Sequence, residues 1–202
     1  MKAIEVIFAT RNATKLQQAN AIFAGSGIIL MTLDDAGIEG EALEDGTTLE
    51  ENALKKARFA YERSTTDSLV MGEDTGLFIN ALGGKPGVYS ARWAGKGASA
   101  EQTMQYCIKQ MKGIEDRRAT FRTVVVLLSD VGKEYLFIGE AHGHLLEEPR
   151  TDPQPNMPYS PIFVPEGQRL CFAEIAKMLP AHKNGFPHRA EALRKLKKFL
   201  EA

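Results

Sequence analysis

Gly72-Glu73-Asp74-Thr75-Gly76-Leu77 follows directly on the apolar run Leu69-Val70-Met71 and continues through Phe78-Ile79-Asn80-Ala81-Leu82 into Gly83-Gly84-Lys85-Pro86-Gly87. The apolar run has the length and composition of a buried strand, and the two adjacent acids sit where such a strand would emerge. Carboxylates at the exposed end of a strand in an α/β protein are well placed to hold a divalent metal and a water. A polar turn that merely caps the strand would look the same in isolation. Strands are therefore expected over Leu69–Gly72 and Leu77–Ala81, with a Gly/Pro turn at Gly83–Gly87.

Outward from this segment the chain alternates. Ile4 to Thr10 reads as a buried strand, followed by a helix through about Phe23, a strand over Ile28 to Leu33 and a polar loop to Gly46. Thr47 and Glu50 have capping-box spacing at the start of a helix whose Leu49, Ala53, Ala57, Ala60 and Tyr61 form an apolar stripe. Ser99 and Gln102 cap a further helix with Met104, Cys107, Ile108 and Met111 on one face, a stripe that reads as core packing. Strands follow over Ala119–Leu128 and Glu134–Leu146, then a proline-rich loop, then a closing helix with Leu193, Leu196, Phe199 and Leu200 on one face. This alternation argues an α/β fold, and 202 residues without a repeat or linker suit a single domain over 1–202.

Composition narrows the functional classes. With 44% apolar and 25% charged residues and a net charge of −1, nothing favours a nucleic-acid polymer or an anionic membrane as partner. The longest apolar run, Val124–Leu128, is strand-sized, and the N-terminal stretch is interrupted by Glu5, so a cytoplasmic protein is expected. Cys107 and Cys171 read as reduced core residues.

Three further constellations carry chemistry. In Thr10-Arg11-Asn12-Ala13-Thr14-Lys15 a strand turns into a helix, whose free N–H groups and dipole favour an anion, and Lys15 adds a point charge. An Asn N-cap with a solvated lysine is the simpler reading of that stretch. On the next helix Asn52 and Lys56 are four apart and share a face from which both can address phosphate oxygens, while Glu44 lies just before it. A surface helix with Glu51–Lys55 pairing is the alternative. Lys183-Asn184-Gly185-Phe186-Pro187-His188-Arg189 ends at the start of the last helix, where a His-Arg pair suits a phosphate or the polar edge of a base.

Taken in order, Thr10-x-Asn12-x-x-Lys15, Glu44 with Glu51-Asn52-Ala-x-x-Lys56-Ala, Glu73-Asp74-Thr75-Gly-Leu, Pro86-Gly-Val-Tyr-Ser-Ala-Arg92 and His188-Arg189 resemble the inosine triphosphate pyrophosphatase family over nearly the whole chain. The resemblance implies an elongated α/β mixed-sheet fold with two lobes around a central substrate cleft, and a homodimer. It implies Mg²⁺-dependent hydrolysis of a nucleoside triphosphate to monophosphate and pyrophosphate, on the non-standard purines ITP, dITP and XTP. By the same resemblance Thr10, Asn12, Lys15 and Lys56 would hold the triphosphate, with Thr75 touching the substrate. Glu44 and Glu73 would bind metal, and Asp74 would serve at the metal and as general base. Lys183, His188 and Arg189 would contact the base.

The base-pocket loop departs from the family's pattern Gly-Phe-Gly-Tyr-Asp-Pro. Here it reads Asn156-Met157-Pro158-Tyr159-Ser160-Pro161, with Met157 for the stacking aromatic and Ser160 for the acid, beside a retained Tyr159. The phosphate and metal machinery is kept while the base contacts change. A broadened or shifted base preference is therefore an expectation alongside the family's own, and a nucleotide-binding sensor without turnover is the alternative from another class. His142-x-His144 has the spacing of a zinc pair but no nearby third ligand, so a solvated strand face is expected.

Overall fold

A computed structural model describes residues 3–154, 156–178 and 186–202 of the chain. Among the described residues the elements run β1 (Ile4–Phe8), α1 (Ala13–Phe23), β2 (Ile28–Met31), α2 (Leu49–Tyr61), β3 (Leu69–Ile79), β4 (Pro86–Gly87), α3 (Ala100–Gln110), β5 (Arg118–Leu128), β6 (Glu134–Leu145), β7 (Phe163–Pro165), α4 (Phe172–Met178) and α5 (Pro187–Leu200). The strands form one mixed sheet of order β2-β1-β3-β5-β6-β7, with β4 paired to β3. β1 runs parallel to β2 and β3, whereas β4 is antiparallel to β3 and β7 to β6. The α/β class and mixed sheet expected from the sequence are thus present.

The chain divides into two compact units, with the boundary falling within β3 after Asp74 and again within β5 and β6. The first unit contains β1, α1, β2, α2, the start of β3, Thr123–Gly139 and α5. Its core is built from Val6, Phe8, Ala19, Phe23, Met71, Val125, Leu127, Leu193 and Leu196. These come from β1, β3, β5 and two helices, and β1, with parallel partners on both sides, is buried and apolar from Val6 to Phe8. The second unit holds an aromatic cluster in which Phe121 packs against Tyr159, Phe163 and Phe172.

The sequence reading needs four corrections. β3 is one strand of eleven residues, so Glu73 and Asp74 lie mid-strand and buried, 1% and 8% exposed, not at an exposed strand end. The flanking Leu69–Met71 and Leu77–Ile79 both have sheet partners or core contacts, and the strand is continuous through the acids. The α2 cap sits one residue later than expected: the Thr48 side chain accepts from Glu51 N, and Glu51 in turn accepts from Thr47 N at 2.6 Å. Lys55 pairs with Asp45 rather than Glu51. Finally, β7 and α4 lie in and after the proline-rich stretch, where the sequence suggests only a loop. The capping box of Ser99 and Gln102 on α3 is formed as expected, and Met104, Cys107 and Met111 are buried.

Two glycines set the helices that matter for the site. A Cβ on Gly72 would lie 2.1 Å from Ala53 O and 2.7 Å from Ala57 N, so β3 and α2 touch backbone to backbone there. A Cβ on Gly139 would lie 2.0 Å from His188 O, so β6 meets the first turn of α5 in the same way. One contact seats the helix carrying Asn52 and Lys56, the other the helix carrying His188 and Arg189.

Candidate active site

Within the first unit, side chains from α1, α2, α5 and the loop before α2 converge on Glu73 and Asp74. α1 starts at the Asn12 cap, whose side-chain oxygen accepts from Thr14 N and Lys15 N, while Thr10 Oγ1 accepts from Asn12 N at 3.2 Å. The expected Asn cap is therefore present, but Lys15 is not solvated. Its ammonium lies 3.3 Å from Glu73 Oε1 and donates to the Glu73 carbonyl at 3.3 Å. Burial lowers the Lys15 pKa, with Glu73 opposing and Lys56 and Arg189 adding to the fall.

Lys56 faces the same carbonyl from α2. Its ammonium lies 3.3 Å from Glu73 O, 3.0 Å from Asp74 Oδ1 and 2.8 Å from Glu44 Oε2. Burial alone would lower its pKa, but Asp74 and Glu44 outweigh that and raise it. Asn52, fully buried, accepts from Gly46 N at 2.8 Å and donates to Asp74 Oδ2 at 3.4 Å. It ties the Glu44 loop to Asp74, a use for the amide that a surface-helix reading leaves unexplained.

Glu73 is held from the other side. Arg189 Nε donates to Glu73 Oε1 at 2.9 Å, and an Arg189 terminal nitrogen donates to Gln18. Arg189 and Lys15 outweigh the burial that would raise the Glu73 pKa and bring it down to about 2. His188, 3% exposed, stacks with the Phe186 ring at 12° between planes. Burial, then the charge of Arg189, holds its pKa well below the ordinary histidine value, so the ring is neutral. The cluster joins the cations Lys15, Lys56 and Arg189 to the anions Glu44, Glu73 and Asp74.

Glu44, Glu73 and Asp74 were expected to share a metal. Among the described residues no group of three His, Cys, Asp or Glu side chains is placed to hold one. Glu44 and Asp74 do face each other across the Lys56 ammonium, whereas the Glu73 carboxylate is engaged by Arg189 and Lys15. Carboxylate oxygens that already enclose a cation fit a hard divalent ion. The fit therefore concerns Glu44 and Asp74.

The second unit holds Thr75, Met157, Tyr159 and Ser160. Thr75 is half-buried on β3. Tyr159 is 3% exposed and its hydroxyl donates to Ser90 O at 2.7 Å, while burial pushes its pKa up. Ser90 in turn donates to Gly87 O at 2.6 Å and accepts from Leu77 N at 2.8 Å, so the Pro86–Arg92 motif staples β3 and its turn. Ser160 Oγ donates to Met157 O at 2.9 Å, and Met157 is half-buried. The hydroxyls of Tyr159 and Ser160 are thus both engaged by main-chain carbonyls. Lys183 lies outside the described residues. His142 and His144 are exposed, and His142 Nδ1 meets Thr120 Oγ1 at 3.0 Å, in keeping with a solvated strand face.

Sequence reasoning missed Gln18 and Arg11. Gln18 lies three residues after Lys15 on the same helical face, a spacing that would have exposed it. Arg11 donates to Ile38 O at 2.9 Å and to Gly40 O at 3.4 Å, pinning the start of the loop that carries Glu44. No sequence pattern announces a contact between residues so far apart.

A model of the Ham1 family matches residues 6–199. A dITP/XTP pyrophosphatase of Geobacter sulfurreducens is 40% identical over 197 residues, covering 96% of both chains. One from Thermoanaerobacter pseudethanolicus is 38% identical over 199 residues, covering 98% of this chain and 96% of its own length. The solved structure of a Ham1 protein from Coxiella burnetii matches with a TM-score of 0.85 at 29% identity over 98% of each chain.

Proposed function

The chain belongs to the Ham1 family, and on that footing we propose that it is a pyrophosphatase acting on non-standard purine nucleoside triphosphates. Its products are a nucleoside monophosphate and pyrophosphate, and its substrates dITP, ITP and XTP, the first and last being those in its relatives' names. The observation that carries this reading is the convergence of Lys15 and Lys56 on one carbonyl beside Asp74. Two ammonium groups within reach of one point suit a polyphosphate, and an adjacent carboxylate suits the activation of water.

In this reading Lys15 and Lys56 neutralise the triphosphate, with Thr10 and Asn12 shaping the turn they flank. Asp74 accepts the proton of the water that attacks the α-phosphorus, and pyrophosphate leaves. Asn52 holds Asp74 and the Glu44 loop in register, and Glu73 anchors Lys15 and Arg189. Neutral His188, with Arg189 and Lys183, meets the nucleoside end. Glu44 and Asp74 would hold Mg²⁺, which would supply charge neutralisation at the phosphates. The chain acts as one pyrophosphatase domain made of the two units, as a cytoplasmic homodimer. No described helix is long and apolar enough to cross a membrane.

The test is pyrophosphate release with Mg²⁺ across ITP, dITP, XTP and the standard (d)NTPs. Preference for the first three is expected. Activity centred on standard nucleotides would mean that the altered Met157–Ser160 stretch has shifted the base pocket, and silence throughout would favour a sensor.

A further inference from the structure

Lys56 is committed to the protein on every side. Its three hydrogens face Glu44 Oε2 at 2.8 Å, Asp74 Oδ1 at 3.0 Å and Glu73 O at 3.3 Å, and its side chain is only 13% exposed. An ammonium has three donors, so none is left over for a phosphate oxygen. The same ammonium fills the space between the two carboxylates best suited to a divalent cation. Lys15, by contrast, meets Glu73 through one carboxylate oxygen and the carbonyl.

We infer that Lys56 is an internal counter-ion that competes with the divalent metal for Glu44 and Asp74, and that it turns to the substrate's phosphates only when metal takes those oxygens. The inference rests on the proposed metal site. Its physical basis is simple: two cations cannot share two carboxylate oxygens that lie 2.8 and 3.0 Å from the ammonium without strong repulsion, because Lys56 and Asp74 are largely shielded from water. Occupancy by one therefore opposes the other. The consequence is weak metal binding by the nucleotide-free protein, and cooperative binding of metal and polyphosphate. A phosphate that accepts the displaced ammonium removes the competitor.

The deciding measurement is Mn²⁺ affinity of the nucleotide-free protein, read from the electron paramagnetic resonance signal of free Mn²⁺. Lys56→Met and Lys56→Gln, each checked for folding by circular dichroism, are expected to bind Mn²⁺ at least tenfold more tightly than wild type. Lys56→Arg, which keeps the charge, should stay close to wild type. Affinity in the two neutral variants equal to or below wild type would overturn the counter-ion role. Glu44→Gln placed on Lys56→Met separates the two readings. Loss of the gained affinity supports both, whereas its full retention shows that the metal is held elsewhere and removes the proposed site itself. Because the readout is metal affinity and not turnover, a general loss of activity in the Lys56 variants cannot mimic the expected result.

Discussion

Lys15 and Lys56 stand on different helices yet donate to one acceptor, the main-chain carbonyl of Glu73, each at 3.3 Å. Two buried ammonium groups so close together repel, and the lowered pKa of Lys15 records it, burial being the larger cause. The arrangement persists because Glu73, Asp74 and Glu44 lie among them. Both ammonium groups are held beside the acids by the fold, and Lys56 is engaged by Glu44 and Asp74 until those oxygens are taken.

The alkaline limb of the reaction should follow Lys15. Its pKa is lowered from 10.5, so as pH rises it loses its charge earlier than a solvated lysine. The pH profile of kcat/KM reports the free enzyme. Lys15→Arg, always charged, is expected to move the alkaline limb to higher pH; an unmoved limb would take Lys15 out of substrate binding.

Asp74→Asn keeps the shape of the acceptor but removes the base. Turnover should fall by about a hundredfold or more. Affinity for a non-hydrolysable αβ-methylene triphosphate, measured without divalent metal, should stay within a few-fold. Both are measurable on one preparation, and turnover close to wild type would exclude Asp74 as the base.

Glu73 links acid stability to the cluster. Its folded pKa of about 2 lies below the ordinary value of 4.5, so it contributes stability that is present above 4.5 and lost as pH falls towards 2. The linked stabilisation is on the order of 3 kcal/mol. Glu73→Gln should lose about 3–5 kcal/mol at neutral pH, because Arg189 and Lys15 are left without their anion. The gap to wild type in urea midpoints should narrow as the pH is lowered from 5 to about 2; a constant gap would contradict the assignment.

Gly72→Ala tests the seating of α2. The added methyl would meet the Ala53 carbonyl at 2.1 Å, backbone that cannot rotate away. A cost of about 1–3 kcal/mol is expected, with a fall in kcat/KM as Lys56 is displaced. Thermal unfolding and kinetics on the same variant check both, and Gly83→Ala, where nothing lies within 4 Å but φ is 62°, separates crowding from backbone strain.

Tyr159→Phe distinguishes a nucleotide contact from a structural one. The hydroxyl donates to the buried Ser90 carbonyl at 2.7 Å, so its removal should cost about 1 kcal/mol of stability. KM for each nucleotide should stay within about twofold of wild type. A selective rise in KM for one base would return Tyr159 to the base pocket.

Much of the site was legible because its residues repeat short-range rules. Lys15 falls in the first turn after the Asn12 cap, and Asn52 and Lys56 are one helical turn apart; both relations follow from backbone geometry alone. The order of the motifs was enough for the family resemblance. Less legible were the positions of the acids within β3, since two adjacent carboxylates in a buried strand oppose ordinary patterning and only their charge partners permit it. The part of the base loop played by Tyr159 and Ser160 was also hidden, because their bonds run to Ser90 and to the loop itself.

By itself the sequence determined the α/β alternation, the helix starts at Asn12 and Ser99, and the residue types brought to the phosphate chemistry. These depend on periodicity and capping, which are local. Only the tertiary structure decided that Arg189, 116 residues from Glu73, is its ion-pair partner, and that Gly72 and Gly139 let two helices approach the sheet. It alone decided that Lys56 sits between Glu44 and Asp74. Charge pairing across such distances depends on where the chain returns in space, and burial then makes each pairing obligatory because an unpartnered charge there is too costly to keep.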